Sequence, residues 1–260
     1  MEPVSLFKTL ESGLARHSSE MMTLAHALGQ NVKDPASTGP EECWRLIWDK
    51  PLYANTRAAG AERKIEQMGP LFVGAWRRVG LNREDFWIEK HGKGTSVTSF
   101  SVSGAFADQV RHVFRVAPHR LFAIQGGARA LRRRVERVHA QAPYADLVPL
   151  SYASRIETIL EEMGPHWGHI TALHFMTDLG LACKPDLHLV RTFKYLGLAP
   201  DMSDKKVPNL RESIEINERV AELCRALYGA FTPSNFRYLD KALMEISRQG
   251  IIERHQSGTL

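Results

Sequence analysis

Along most of this chain apolar residues return every third or fourth position, the spacing of helices with one buried face. Residues 1–30 read as helix: Leu6, Leu10 and Leu14 share a face that Met21, Leu24, Ala25 and Leu28 continue. Residues 31–40, NVKDPASTGP, are loop by composition. A helix follows from Glu41, with Trp44, Ile47 and Trp48 inward, until Pro51 breaks it. After a turn at residues 53–57, the segment AAGAERKIEQM predicts a helix with Ile65 and Met68 inward, and helix runs on from Met68 to Gly80. The stretch Phe86–Val102 changes character: Thr98, Phe100 and Val102 alternate with serines, and His91-Gly-Lys-Gly marks a turn, which predicts a β-hairpin. Its Gly92-Lys93-Gly94-Thr95 lacks the remaining glycine spacing of a phosphate-binding loop. Residues 106–124 are helical or mixed, and GGARALRRRVERVHAQ then sets Leu131, Val135 and Val138 inward. Arg129, Arg133 and Arg137 recur at i, i+4 and i+8 on its other side, either a solvated basic face or one turned to nucleic acid.

The middle of the chain, Glu161 to Leu198, is the most informative part. Ile156, Ile159, Leu160 and Met163 lead into it on one helical face, and Gly164-Pro165-His166-Trp167-Gly168 stops that helix. Ile170, Ala172, Leu173, Phe175, Met176 and Leu179 then read as a buried helix that Gly180 ends. A loop from Leu181 to Pro185 leads to Asp186 and a helix with Leu189, Phe193 and Leu196 on one face, ended by Gly197. Beyond a polar loop, Val220, Leu223, Cys224, Leu227 and Phe231 mark another helix. Thr232-Pro233 opens the last, with Phe236, Leu239, Leu243 and Ile246 inward and Gly250 after it. The tail ERHQSGTL reads as frayed. The fold class is therefore mainly α with a small β-hairpin insertion at about residues 86–103.

A hairpin between helices, flanked by two glycines, leaves backbone N–H groups exposed at the start of the second helix. Such a terminus attracts phosphate without reading sequence. An Asp at the start of the following helix is held ionised by the helix dipole. Phosphate anchor and carboxylate, one buried helix apart, suit chemistry on a nucleic acid.

These features resemble the helix-hairpin-helix DNA glycosylases, the HhH-GPD superfamily. The likeness rests on Gly164-x-x-x-Gly168 with Thr171-Ala172, on Asp186-x-His188-x-x-Arg191, and on Tyr195-Leu196-Gly197-Leu198. It implies a two-lobed helical fold in which residues 1–260 form one domain, with the hairpin and catalytic loop in 152–198. It implies Asp186 as the catalytic carboxylate and double-stranded DNA as the partner, met by Gly164, His166, Gly168, Thr171 and Arg191. Asn55 is placed either to plug the hole left by an extruded base or to cap the next helix, and His188 is structural. Carbonyls of Gly164, His166 and Gly168 are implied to hold a monovalent cation. The chain also departs from the family: Pro165 follows the first glycine, the turn is one residue longer, and the loop before Asp186 is slightly short. The position of the strand-cutting members' lysine is Ile170, and Lys184 lies elsewhere. The resemblance thus points to a monofunctional enzyme that leaves an abasic site. A defence enzyme excising hypermodified, for example glucosylated, bases from viral DNA is an alternative, as is a helix-hairpin-helix protein that binds DNA without chemistry.

Composition narrows this further. A chain of 260 residues with 43% hydrophobic and 24% charged residues is an ordinary globular one, large enough for a sizeable core. No apolar run is long enough to span a membrane, and the N-terminus has no signal-peptide core, so a cytoplasmic protein is expected. Three separated cysteines argue against disulfides and cannot supply a four-cysteine iron–sulfur cluster. No His or Cys spacing matches a metal motif, so neither metal nor cofactor is expected beyond the implied cation, and a monomer is expected. A net charge of +5 is compatible with a polyanionic partner.

Overall fold

A computed structural model describes residues 2–54, 56, 58–92 and 99–260. Helices dominate, and the described residues divide into two compact units, one of residues 1–34 with 176–260 and the other of residues 35–175.

The chain starts in the first unit with α1 (Pro3–His17) and α2 (Ser19–Gln30). The single helix expected to residue 30 is interrupted at Ser18, which sits at φ −152° and ψ 58°. The break lets two helices bury different faces. Helix α1 buries Phe7, Leu10 and Leu14, whereas α2 buries Ala25 and Gly29 and leaves Leu24 39% exposed.

The second unit opens with α3 (Pro40–Ile47), α4 (Lys50–Tyr53), α5 (Ala58–Phe72) and α6 (Trp76–Leu81). Pro51 does end α3's run, by starting the next helix in its first turn, where a missing N–H costs nothing. The helix expected from Met68 to Gly80 is split, because Gly74 adopts φ +64° between α5 and α6. The β-hairpin forms as expected: β1 (Trp87–Lys90) pairs antiparallel with β2 (Phe100–Ser103), Ile88 facing Val102 in register. Lys93 and Gly94 of its expected turn, and Thr98 of its expected second strand, lie outside the described residues. Next come α7 (Ala105–His112), α8 (Pro118–Arg137), α9 (Tyr152–Met163) and α10 (His169–Asp178).

Helix α8 is the spine of this unit. It buries Leu121, Ile124, Ala128 and Leu131 and packs against α3, α6, α9 and β1. Its inward pattern differs from the expected one in the last turns, since Val138 is 44% exposed and Arg134 is only 1% exposed. The guanidinium goes inward because the interior supplies its partners. Nε meets Glu162 Oε2 at 2.5 Å, and Nη1 donates to Asp146 Oδ1 at 2.6 Å and to the Pro143 carbonyl at 2.9 Å, over the Tyr144 ring. A planar fork satisfied on several sides can be buried where a lone charge cannot.

The first unit resumes at Met176, within α10, and continues with α11 (Leu187–Tyr195), α12 (Leu210–Tyr228), α13 (Pro233–Arg248) and α14 (Ile251–Gln256). Helix α13 is central, packing on α2, α11 and α12, and Thr232 caps it by accepting from Asn235 N–H. The tail expected to fray from Glu253 instead continues α14 as far as Gln256, behind two buried isoleucines. Ile251 and Ile252 are buried, α14 packs on α1, and Leu260 fills space that a Cβ on Gly13 would need. Two adjacent isoleucines outweigh the polar residues around them, because burying each is worth about 1.5–3 kcal/mol. No described helix is long and apolar enough to cross a membrane.

Candidate active site

In the second unit, α9 ends at Gly164, whose φ +77° and ψ −169° are open only to glycine. Pro165 and His166 form the exposed turn, with His166 itself at φ +75°. Trp167 turns inward to 4% exposure, and its indole N–H donates to the Ala123 carbonyl at 2.7 Å. Trp167 therefore anchors the turn to α8 rather than facing a ligand. Gly168, unlike Gly164, supplies no special backbone angle, since its φ is not positive. Its carbonyl starts α10, accepting from Thr171 at 2.9 Å and Ala172 at 3.1 Å. The space where a Gly168 Cβ would stand is open, and the Gly168 and Ile170 N–H groups donate to nothing among the described residues. Exposed donors at a helix N-terminus are what an oxyanion needs.

The His166 ring lies against Phe100 and Phe122 at 5.4 and 5.6 Å between centroids, with His119 at 6.3 Å. Burial first, then Lys90 and His119, hold its imidazole below the usual histidine range, so it adds no charge near neutrality. Of the carbonyls implied to hold a monovalent cation, the Gly168 oxygen already takes two helical N–H groups and the Gly164 oxygen takes that of Trp167 at 3.3 Å. Asn55 lies outside the described residues. Its neighbours are tied down by Arg120, whose Nη2 donates to the Ala54 carbonyl and Thr56 Oγ1, each at 2.6 Å.

In the first unit, Asp186 stands at the N-cap of α11 with an extended backbone. Its Oδ1 accepts from Leu189 N–H at 2.9 Å, and its Oδ2 has no partner among the described residues. Asp186 is half-buried. The loop before it is stapled from two helices. Cys183 N–H donates to Asn217 Oδ1 at 2.7 Å, Asn217 Nδ2 returns to the Cys183 carbonyl at 3.3 Å, and Lys184 N–H donates to the Asp240 carboxylate. His188 is placed structurally, its Nδ1 3.4 Å from Ser247 Oγ on α13, while Arg191 is exposed.

Asn217 and Asp240 are the site residues that sequence reasoning missed. A signal existed for both: Asp240 falls on the buried face of Phe236, Leu239 and Leu243, and Asn217 on that of Ile216 and Val220. A polar residue at helical spacing on an apolar face asks what it bonds to. Asp240 is 6% exposed, and Arg237 Nη1 donates to its Oδ2 at 2.5 Å. Burial first pushes its carboxyl up to about 6, with Arg237 opposing and Asp186 adding to the rise.

A raised folded-state pKa means that the native state holds the proton longer than the unfolded chain. The stability this group contributes is full below the ordinary carboxylate range and is lost as pH rises through about 6. Urea unfolding of the protein and of Asp240→Asn across pH 4 to 7 checks this. The stability difference is expected to move in the variant's favour by about 2 kcal/mol as pH rises. A pH-independent difference contradicts it.

No protein-family model, curated protein or solved structure matches this chain.

Proposed function

We propose that this chain is a monofunctional DNA N-glycosylase, which extrudes a damaged or modified base and hydrolyses its bond to the sugar. The observation that carries the reading is the state of Asp186: one oxygen is fixed by the α11 N-terminus and the other is unengaged, on a loop stapled by Asn217 and Asp240. Breaking the C1′–N bond builds positive charge on the sugar. A carboxylate held in place beside that carbon stabilises it without reorganising. Water then adds to C1′, its proton passing to Asp186 or solvent, and the base leaves with the bonding pair. The target atom lies inside the duplex, so the nucleotide must leave the stack first. The open N–H groups at Gly168 and Ile170 suit a backbone phosphate.

Members that cut the strand attack the sugar with an amine. Ile170 cannot, and Lys184, before Pro185, has its backbone N–H committed to Asp240. Incubation with a panel of damaged and hypermodified duplexes is expected to release one class of base, with strand breaks only after alkali and no adduct trapped by borohydride. An adduct lost in Lys184→Ala would establish a lyase instead. Failure to release any base while DNA still binds would leave a non-catalytic binder, and release confined to hypermodified bases would mark a defence enzyme.

A further inference from the structure

Three arginines of the second unit lie close together without an ion-pair partner among the described residues. Arg83, just before β1, and Arg129 on α8 each place their guanidinium carbon 4.2 Å from the Trp87 ring centroid. Arg133, one turn along α8, donates to the backbone carbonyl of Glu162. Among the described residues none of the three forms an ion pair, although Arg78, Arg132 and Arg134 nearby all do. Burial first, then repulsion from Arg83 and Arg133, make the Arg129 charge costlier to hold.

Bringing three like charges together opposes folding, and the cation–π contact of two of them with Trp87 returns only part of that cost. The arrangement also leaves polar atoms unanswered. Among the described residues Arg129 Nη2 is buried with no hydrogen-bond partner, and so is Oε1 of Gln125, a fully buried residue whose Nε2 is committed to the Phe86 carbonyl at 3.2 Å. Gln125, Arg129 and Arg133 line a cavity of about 230 Å³ whose wall continues into Gly164 and Pro165 of the hairpin turn. Glu162 on the same wall is neutralised by Arg134 at 2.5 Å, which leaves Glu161 alone against the Arg129 and Arg133 guanidiniums. The cavity sits close under the turn because α8 and the end of α9 touch at Gly126, where a Cβ would collide with the Met163 carbonyl.

We propose that Arg83 and Arg129, stacked on Trp87, and Arg133, one turn along α8 at the shoulder of the Gly164–Gly168 turn, bind a phosphate group of the DNA backbone. The inference rests on the DNA-glycosylase reading for the source of that phosphate. Guanidinium suits this ligand, since its planar fork matches phosphate oxygens and stacking on the indole fixes its plane before the ligand arrives. A phosphate oxygen completes the free Nη2 of Arg129, with water bridging to Gln125 Oε1. The bound anion also relieves the repulsion among the three cations, which gives the cluster a reason to exist.

The test measures binding of a labelled unmodified duplex and of inorganic tripolyphosphate by the wild type, Arg129→Met and Arg83→Met. The duplex is followed across a salt series. Methionine keeps the stem and removes the charge, and Arg83 is exposed, so its variant serves if Arg129→Met fails to fold. Each variant is expected to bind the duplex about tenfold more weakly, with a salt slope shallower by about 1. Arg254→Met, the same charge change in the other unit, is expected to leave the slope unchanged. If the wild type binds tripolyphosphate but no DNA, and the variants lose it, the phosphate site stands and the glycosylase reading falls. If the wild type binds the duplex and both variants match it in affinity and slope, the site is overturned while DNA binding stands. Wild type that binds neither probe overturns both.

Discussion

Asp186→Asn is expected to lower base release by on the order of 10²-fold or more while leaving the fold in place. The substitution separates the two things Asp186 does. Asparagine caps a helix as well as aspartate does, so its side-chain oxygen still accepts from Leu189 N–H. The staples from Asn217 and Asp240 involve other residues of the loop and are untouched. What disappears is the negative charge, and a neutral amide cannot steady a positive sugar. Single-turnover base release with thermal unfolding of the same preparation reads both quantities. Activity near that of the wild type, with an unchanged unfolding midpoint, would reduce Asp186 to a helix cap and end the glycosylase assignment. Asp186→Ala is less informative, because it also removes the cap, at about 1 kcal/mol.

The second large effect falls on stability. Arg134→Met is expected to destabilise the protein by about 3 kcal/mol, the lower end of the cost of removing one partner from a buried charge cluster. The lower end applies because Asp146 and Glu162 keep side-chain exposures of 44% and 27%, so water partly resolvates them. The Pro143 carbonyl also loses its donor. Urea unfolding with an unchanged m-value checks the figure, and a loss under about 1 kcal/mol would contradict the account. Adding Glu162→Gln to Arg134→Met is expected to recover part of the loss by removing an unanswered charge.

Much of the fold was legible in the chain because burial of one helix face leaves a 3.6-residue record in the sequence. The helix ending at Met163, the turn at Gly164, the helix ending near Gly180 and the start of α11 at Asp186 were all readable this way, as was the alternating hairpin of β1 and β2. So was the cap chemistry of Asp186 and Thr232, since a short side chain bonding to the next turn is a local matter.

Tertiary structure decided what depends on partners distant in sequence. Local pattern makes Ser18 one more polar position and Arg134 one more basic one; the cores around them break the first helix and draw the second side chain inside. The tail from Glu253 reads as polar, yet its first turn is helix because Ile251 and Ile252 just before it are buried and α14 packs on α1. Arg129 and Arg133 read as a stripe shared with Arg137, but Trp87 and Arg83, brought from about forty residues earlier, single out the first two. The clearest case is Asp186 itself. Its place and its cap follow from the sequence alone, whereas the staples that hold its loop come from Asn217 and Asp240, thirty and fifty-odd residues further on. Periodicity tells which face is buried; only the fold tells what a buried polar group on that face is bonded to.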